Sequence, residues 1–461
     1  KNSMQASVNR SNDIHPLLPP GPKGWPFVGN ALQFSHDPLG YLRSAAQTYG
    51  DVVQLHMGSM PVVLISHPDQ IEEVLVSKKH NFIKEPIEKL QHTFDAALFG
   101  NGLLTSDGDF WLRQRRLAQP AFHRHRIASY STMMIEHTER MLARWRDGET
   151  RDVHEDMMRL TLEIVAQTLF SADVTGDAAD VGTALDVVMR VSAETLGSPM
   201  QIPTYIPTPR NRRFMAAIRQ LESVITKIIR QRRASDEDTG DLLSMLLHTQ
   251  DEDGSRMTDQ QLRDELVTMF VAGHETTALA LSWTWYLLTQ SPEVEAQLLE
   301  ELQTVLQGRT PTMADLPQLR YTDMVLKESM RIYPPAWLLS GRVAVADCTL
   351  GGYQIPAGTL LAISSWVTHH DARFFSEPDR FNPQRWNTED EQQRPKFAYF
   401  PFGGGPRMCI GQAFAMMEAT LILTTIAQRF QLTLVPGQTI EPQPSITIRP
   451  KYGLKMRLTK R

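Results

Sequence analysis

Residues 400–411, Phe-Pro-Phe-Gly-Gly-Gly-Pro-Arg-Met-Cys-Ile-Gly, constrain this chain more than any other segment. Three consecutive glycines let a backbone come close to a flat group with no side chain in the way. Cys409 follows them and opens onto a helical pattern. A cysteine at a helix start is helped toward the thiolate by unsatisfied amides and the positive dipole end. Arg407, two residues earlier, is placed to meet an anionic group on whatever the loop holds. Cys348 is the one other cysteine, so a disulfide framework and a Cys-x-x-Cys metal site are excluded.

The 461 residues are 41% hydrophobic, enough for a large core, and the net charge of −5 gives no sign of a nucleic-acid binder. Lys1 to His15 holds no apolar stretch long enough for a signal sequence or a membrane anchor. Residues 1–18 are expected as a flexible N-terminal segment, and Pro16 to Pro22 as a stiff, extended strap. Asp51 to Met57 and Pro61 to Ser66 predict a hairpin, turning at Gly58-Ser59-Met60.

Apolar residues at three- and four-residue spacing predict helices over Arg126 to Trp145, Asp152 to Phe170, Arg213 to Arg232 and Asp259 to Gln290. The last opens on a Thr258-x-x-Gln261 capping pattern and stops before Ser291-Pro292. Between Tyr333 and Phe402 proline and glycine interrupt short apolar runs, which predicts a small β region and an irregular meander. Thr420 to Phe430 reads as helix and Gln431 to Leu458 as short strands. With no repeat or linker in view, the expectation is one mainly α unit over 1–461, a large helical region with a small β-sheet region.

Phe402, Gly405, Arg407, Cys409 and Gly411 fit Phe-x-x-Gly-x-Arg-x-Cys-x-Gly without departure. That run resembles the haem-binding signature of the cytochrome P-450 (haem-thiolate) superfamily, and the resemblance covers the chain from about Pro19 onward. It implies the superfamily fold, haem b as cofactor, and Cys409 as the iron ligand. Ala272-Gly273-His274-Glu275-Thr276 is similar to the superfamily's oxygen-activation motif. The implied chemistry wants a small residue to leave room for dioxygen, a hydroxyl (Thr276) to steady it, and an acid (Glu275) to help relay protons. His274 fills the variable position and is not expected as an iron ligand.

Glu328 and Arg331 share a helical face, and Arg385 takes the place of the superfamily's meander arginine, with Gln384 and Trp386 departing from its commonest form. The three are expected to support the haem site without performing the oxidation. Trp111, Arg115, Arg342 and Arg407 are the candidates for the haem propionates. Segments that touch substrate in this superfamily here offer Phe82, Phe94, Leu98, Phe99, Phe270, Thr277, Ala336, Leu338, Leu339 and Ile446. They predict an apolar pocket for a lipid-like molecule of the fatty acid, terpenoid, steroid or carotenoid class.

The implied activity is a monooxygenase that hydroxylates this hydrophobic substrate with O2 and two electrons. A peroxide-using or rearranging enzyme, and a haem sensor without turnover, are the alternatives. No flavin or iron–sulfur segment is present, so a separate donor is expected, such as a ferredoxin with its reductase or a flavodoxin. The basic run Arg113, Arg115, Arg116, His123, Arg124, His125 and Arg126 is expected to dock it. The resemblance and the lack of an anchor imply a soluble, bacterial-type, cytoplasmic protein.

Overall fold

A computed structural model describes residues 17–85, 93–174, 176, 178–196, 198, 202–235, 237–248 and 256–461. The expected flexible segment 1–18 therefore lies, except for Leu17 and Leu18, outside the described residues. The principal helices are α1 (Gly108–Ala118), α2 (Arg124–Leu142), α3 (Val153–Phe170), α4 (Ala178–Thr195), α5 (Pro209–Ser235), α6 (Asp259–Gln290), α7 (Arg320–Ile332) and α8 (Gln412–Ala427); α2, α3, α5 and α6 form where the apolar spacing predicts them, and α4 is not predicted. Thr258 and Gln261 close a reciprocal capping box at the start of α6. The helix stops at Ser291, since Pro292 is suited only to begin the next one.

Several boundaries differ from expectation: α2 ends at Leu142 rather than Trp145, and α5 extends beyond Arg213 and Arg232 at both ends. Helix α8 begins at Gln412, directly after the cysteine loop, because Gly411 serves as its N-cap; the propensity pattern had suggested Thr420. The hairpin turns on Gly58 and Ser59 alone, with Met57 paired to Met60.

A five-stranded sheet is built from β1 (Val52–Met57), β2 (Met60–Ile65), β3 (Phe82–Ile83), β4 (Leu339–Ala344) and β5 (Leu360–Ile363), in the order β1–β2–β5–β4–β3. Only the β2–β5 pairing is parallel. The C-terminal tail adds a hairpin of β6 (Pro442–Pro444) and β7 (Ile448–Pro450).

Helix α6 runs through the interior, which is why most of its faces are apolar. It lies close against α3: a Cβ on Gly273 would come within 3.2 Å of Val165, and the Thr161 hydroxyl donates to the His274 carbonyl at 3.0 Å. Helix α8 is also apolar all round, with Leu421, Ile422, Leu423 and Ile426 fully buried. Between α6, the start of α8 and the sheet lies the cavity that matters for function.

Candidate active site

The cavity measures about 320 Å³. One wall is the middle of α6, through Thr268, Met269, Ala272, Gly273, Thr276, Thr277 and Ala280. Another is the cysteine loop, from Pro401 to Gly411, continuing into Phe414, Ala415 and Ala419 of α8. Cys409 is exposed to this space, its N–H donating to the Phe402 carbonyl at 2.9 Å.

The three glycines do different work. Gly403 has φ +70, and a Cβ there would meet nothing nearer than Leu339 at 3.9 Å, so of the three it is the one with free space around its Cα. A Cβ on Gly404 would strike the Phe397 ring at 2.2 Å, and one on Gly405 (φ +66) the Leu75 carbonyl at 2.2 Å. Two of the three thus serve packing within the protein rather than approach to a ligand.

The thiol also differs from expectation. Burial pushes Cys409 above its ordinary value, against the Gly411 N–H and Arg115, which both favour the thiolate. It lies before the N-cap rather than inside the first turn, so the helix start alone does not ionise it. A coordinating metal deprotonates such a thiol outright.

Among the described residues four cations line the cavity, Lys84, Arg115, Arg342 and Arg407, and no carboxylate does. Arg407 stacks over the Trp111 ring at 4.3 Å and Arg115 lies 5.7 Å from the same ring. Arg407 donates to the Ser106 carbonyl at 2.7 Å and pairs with Asp107. Burial and then the charge of Arg407 push Arg342 down to about 10, and Lys84 is driven well below its ordinary value by burial, Arg342 and Arg407. So many like charges around one cavity call for an anionic ligand. Sequence reasoning missed Lys84, a lone lysine with no motif around it.

Behind the loop, Glu328, Arg331 and Arg385 form a buried cluster. Arg331 donates to both Glu328 oxygens at 2.9 Å, Arg385 Nε donates to one at 2.9 Å, and Trp386 Nε1 donates to the other at 2.9 Å. Trp386, a departure from the commonest superfamily form, is thus a full member. Arg331 also donates to the His369 carbonyl at 2.8 Å, while His369 Nε2 accepts the Phe400 N–H at 3.0 Å. His369, unmarked by any motif, joins the cluster to the first residue of the loop.

On α6 the Thr276 hydroxyl faces the cavity and donates back to the Ala272 carbonyl at 2.8 Å. Glu275, the acid expected to help relay protons, does not line the cavity. It is buried, accepting from the Thr447 hydroxyl and, at 2.9 Å, from Arg449, which reaches on to Asp186 at 2.8 Å. Burial would raise this carboxyl, but Arg449 and Thr447 outweigh it and hold it below the usual range. His274 is buried too, bonded through Nδ1 to the Phe270 carbonyl at 2.7 Å, and does not line the cavity.

Of the expected substrate contacts, Thr277, Ala336 and Leu339 line the cavity. Phe82, Phe94, Leu98, Phe99, Phe270, Leu338 and Ile446 do not. Phe82 is in the core beneath the sheet, and Phe94 packs edge-on against Phe214 at 4.5 Å. Phe270 faces Phe170, Leu98 and Phe99 sit in the main core, and Leu338 and Ile446 pack against core clusters. Leu103, Leu104, Thr268 and Met269 take their places on the wall.

The cytochrome P450 family model matches residues 19–456. The chain belongs to that family. This cytochrome P450 is 39% identical to cyclooctatin synthase of Streptomyces melanosporofaciens over 93% of its own length and 92% of the relative's. It is 38% identical to the cyclooctat-9-en-7-ol 5-monooxygenase of the same organism, over 91% and 90%. Pentalenene oxygenase of Streptomyces avermitilis is 35% identical over 95% and 97%.

As a cytochrome P450 the protein is a haem-thiolate monooxygenase that hydroxylates a hydrophobic small molecule, using haem b, O2 and electrons from a redox partner. The residues present fit haem b: a sulfur facing the cavity, a glycine that admits a flat ring, and, among the described residues, cations without a lining carboxylate for two propionates. Among the described residues no helix is long and apolar enough to cross a membrane.

Proposed function

We propose that the substrate is a cyclic terpenoid without a charged head group. The observation that carries this is the polarity of the cavity lining. Its charges all belong to the group around Trp111, where the propionates consume them, and the Thr268, Thr276 and Thr277 hydroxyls all donate to carbonyls of their own helix, at 2.7, 2.8 and 3.4 Å. A fatty acid carboxylate would have to reach the Trp111 corner and compete there with the propionates, and burying one unpaired elsewhere on the wall is costly. Relatives named for cyclooctatin, cyclooctat-9-en-7-ol and pentalenene support the same class.

In this reading residues 1–461 act as one catalytic domain. Cys409 holds the iron, with Phe402 and Gly411 shaping the loop around it. Trp111, Arg115, Arg342, Arg407 and also Lys84 hold the propionates. Ala272 leaves room beside the haem, which when bound supplies the activation of dioxygen. Thr276 presents a hydroxyl to that space and holds or passes a proton at Oγ1. Glu275 lies one residue away, and it exchanges protons with the cavity only after parting from Arg449. Glu328, Arg331 and Arg385 fix the loop, while Thr277, Ala336 and Leu339 shape the substrate wall.

The electron donor, in the same proposal, is a ferredoxin with its reductase or a flavodoxin, and the protein works in the cytoplasm. The exposed Arg116, His123, His125 and Arg126, with the half-buried Arg113, support an acidic partner. One reconstitution tests these points. Haem-loaded protein is reduced by the ferredoxin pair and titrated with cyclododecane and with lauric acid. The expected result is a spin-state shift with cyclododecane only, slower reduction in Arg113→Glu/Arg116→Glu, and loss of the far red-shifted carbon monoxide band in Cys409→Ser. A lauric acid affinity equal to that for cyclododecane removes the substrate class. Unchanged reduction kinetics remove the docking face, and an intact band in Cys409→Ser removes the ligand.

A further inference from the structure

Three consecutive residues of α6 reach across to one strip of chain. Arg263 donates to the Ala97 carbonyl at 3.2 Å, Asp264 accepts the Asn101 N–H at 2.9 Å, and Glu265 accepts the Leu103 N–H at 3.2 Å. That strip continues into Leu103 and Leu104, which line the cavity, and then into Ser106 and Asp107, which hold Arg407. The contact has no slack. A Cβ on Gly102 would come within 2.3 Å of Thr268 Oγ1, and one on Gly100 within 2.2 Å of Asp264.

Of the three, Glu265 sits nearest the cavity wall and is the least explained by stability. It is 2% exposed, and its Oε1 has no hydrogen-bond partner among the described residues. Burial pushes its carboxyl up to about 8, with the neighbouring Asp264 adding to the rise and the Leu103 N–H opposing it. A half-satisfied buried carboxyl weakens a fold, so its single bond to the wall is the contribution left to account for.

We propose that Glu265 is a positioning residue which, through the Leu103 N–H, sets how far Leu103 and Leu104 project over the substrate and so which carbon is hydroxylated. The proposal rests on the monooxygenase reading. Arg263 and Asp264 anchor the outer part of the strip, and Glu265 alone fixes the residues that meet substrate. Without its bond, the Leu103 amide loses its tie to the helix and the wall widens.

The test uses haem-loaded full chain with cyclododecane for affinity and a methyl-substituted cyclododecane for the pattern of hydroxylated products. Glu265→Ala is expected to weaken cyclododecane binding about tenfold and redistribute the products, with haem content and the carbon monoxide band unchanged. Glu265→Gln, whose amide oxygen still accepts from Leu103, returns both towards wild type. Glu265→Met keeps the volume, removes the acceptor and relieves the buried carboxyl; it folds readily and is expected to show the shifted pattern. A wild-type product pattern in Glu265→Met overturns the proposal, as does failure of both Glu265→Ala and Glu265→Met to fold, since the residue would then be a folding determinant. If wild-type protein itself lacks the thiolate band or any hydroxylated product, the monooxygenase reading has failed instead.

Discussion

Single residues around the cavity are constrained by backbone geometry as much as by chemistry. Gly403 and Gly405 both have positive φ, so any other residue costs roughly 1–2 kcal/mol at either place. They part company over space. Gly405→Ala would drive a methyl into the Leu75 carbonyl, held in the π-helical turn Glu73–Ser77, whereas Gly403→Ala meets free space. Gly405→Ala is therefore expected to lose most of its haem and at least several degrees of melting temperature. Gly403→Ala should retain its fold and weaken haem binding more mildly. Equal haem content in the two variants, measured from the carbon monoxide difference spectrum per mole of protein, would contradict this assignment. At this scale the sequence is most readable where a motif fixes spacing, as at Phe402 to Gly411. It is least readable where short elements decide which way a side chain turns. Phe82 and Phe94 are apolar and in the right segments, yet a two-residue strand and a six-residue helix turn them into the core. Lys84 carries no pattern at all; only its enclosure with Arg342 and Arg407 marks it.

Elements are tied to one another through buried charge. Helix α7, the meander and the cysteine loop share the Glu328 carboxylate and His369. Both partners of Arg331–Glu328 are fully buried, so removing the carboxylate strands two guanidiniums in the interior. Glu328→Ala is expected to cost about 3–5 kcal/mol. Denaturant unfolding and haem content would read it, and wild-type values for both would refute the role. The helix pair and the arginine were legible from spacing and resemblance, since Glu-x-x-Arg places both side chains on one face. Trp386 and His369 were not, because their bonds depend on how the meander folds back, which local propensity does not encode. Helix boundaries followed the same logic: α6 carries its stop and start signals in sequence, while α8 starts early because a glycine caps it.

Across the whole molecule, burial sets an opposed pair of titrations. His154 is pushed down to about 3 and His370 to about 4, with His274 and His369 also lowered, all by burial first. Each takes up a proton near pH 6.5 once unfolded, so acid below that value favours the unfolded chain. Burial raises Glu265 to about 8 and Glu418 well above its ordinary value. Both carboxyls are protonated when folded and release protons on unfolding once the pH exceeds about 4.5. Their contribution is therefore complete below that value and is lost as pH rises above it, for Glu265 up to about 8. Each group is worth about 1.4 kcal/mol per pH unit within its window. Between pH 4.5 and 6.5 the buried histidines raise stability with pH while the two glutamates lower it; above 6.5 the glutamates go on lowering it, and Lys84, held well below its ordinary value, opposes them. The melting temperature of Glu265→Gln should gain on that of the wild type as pH rises from 4.5 to 8, and a constant difference would refute the titration.

The bond from Arg407 to Asp107 joins residues 300 positions apart. Ribosomes add about 5–20 residues per second, so roughly 15–60 s pass between making the two partners. Throughout that interval Trp111 and its neighbours exist without the arginine that will cover the ring. Synthesis thus delivers one side of the active site long before the other.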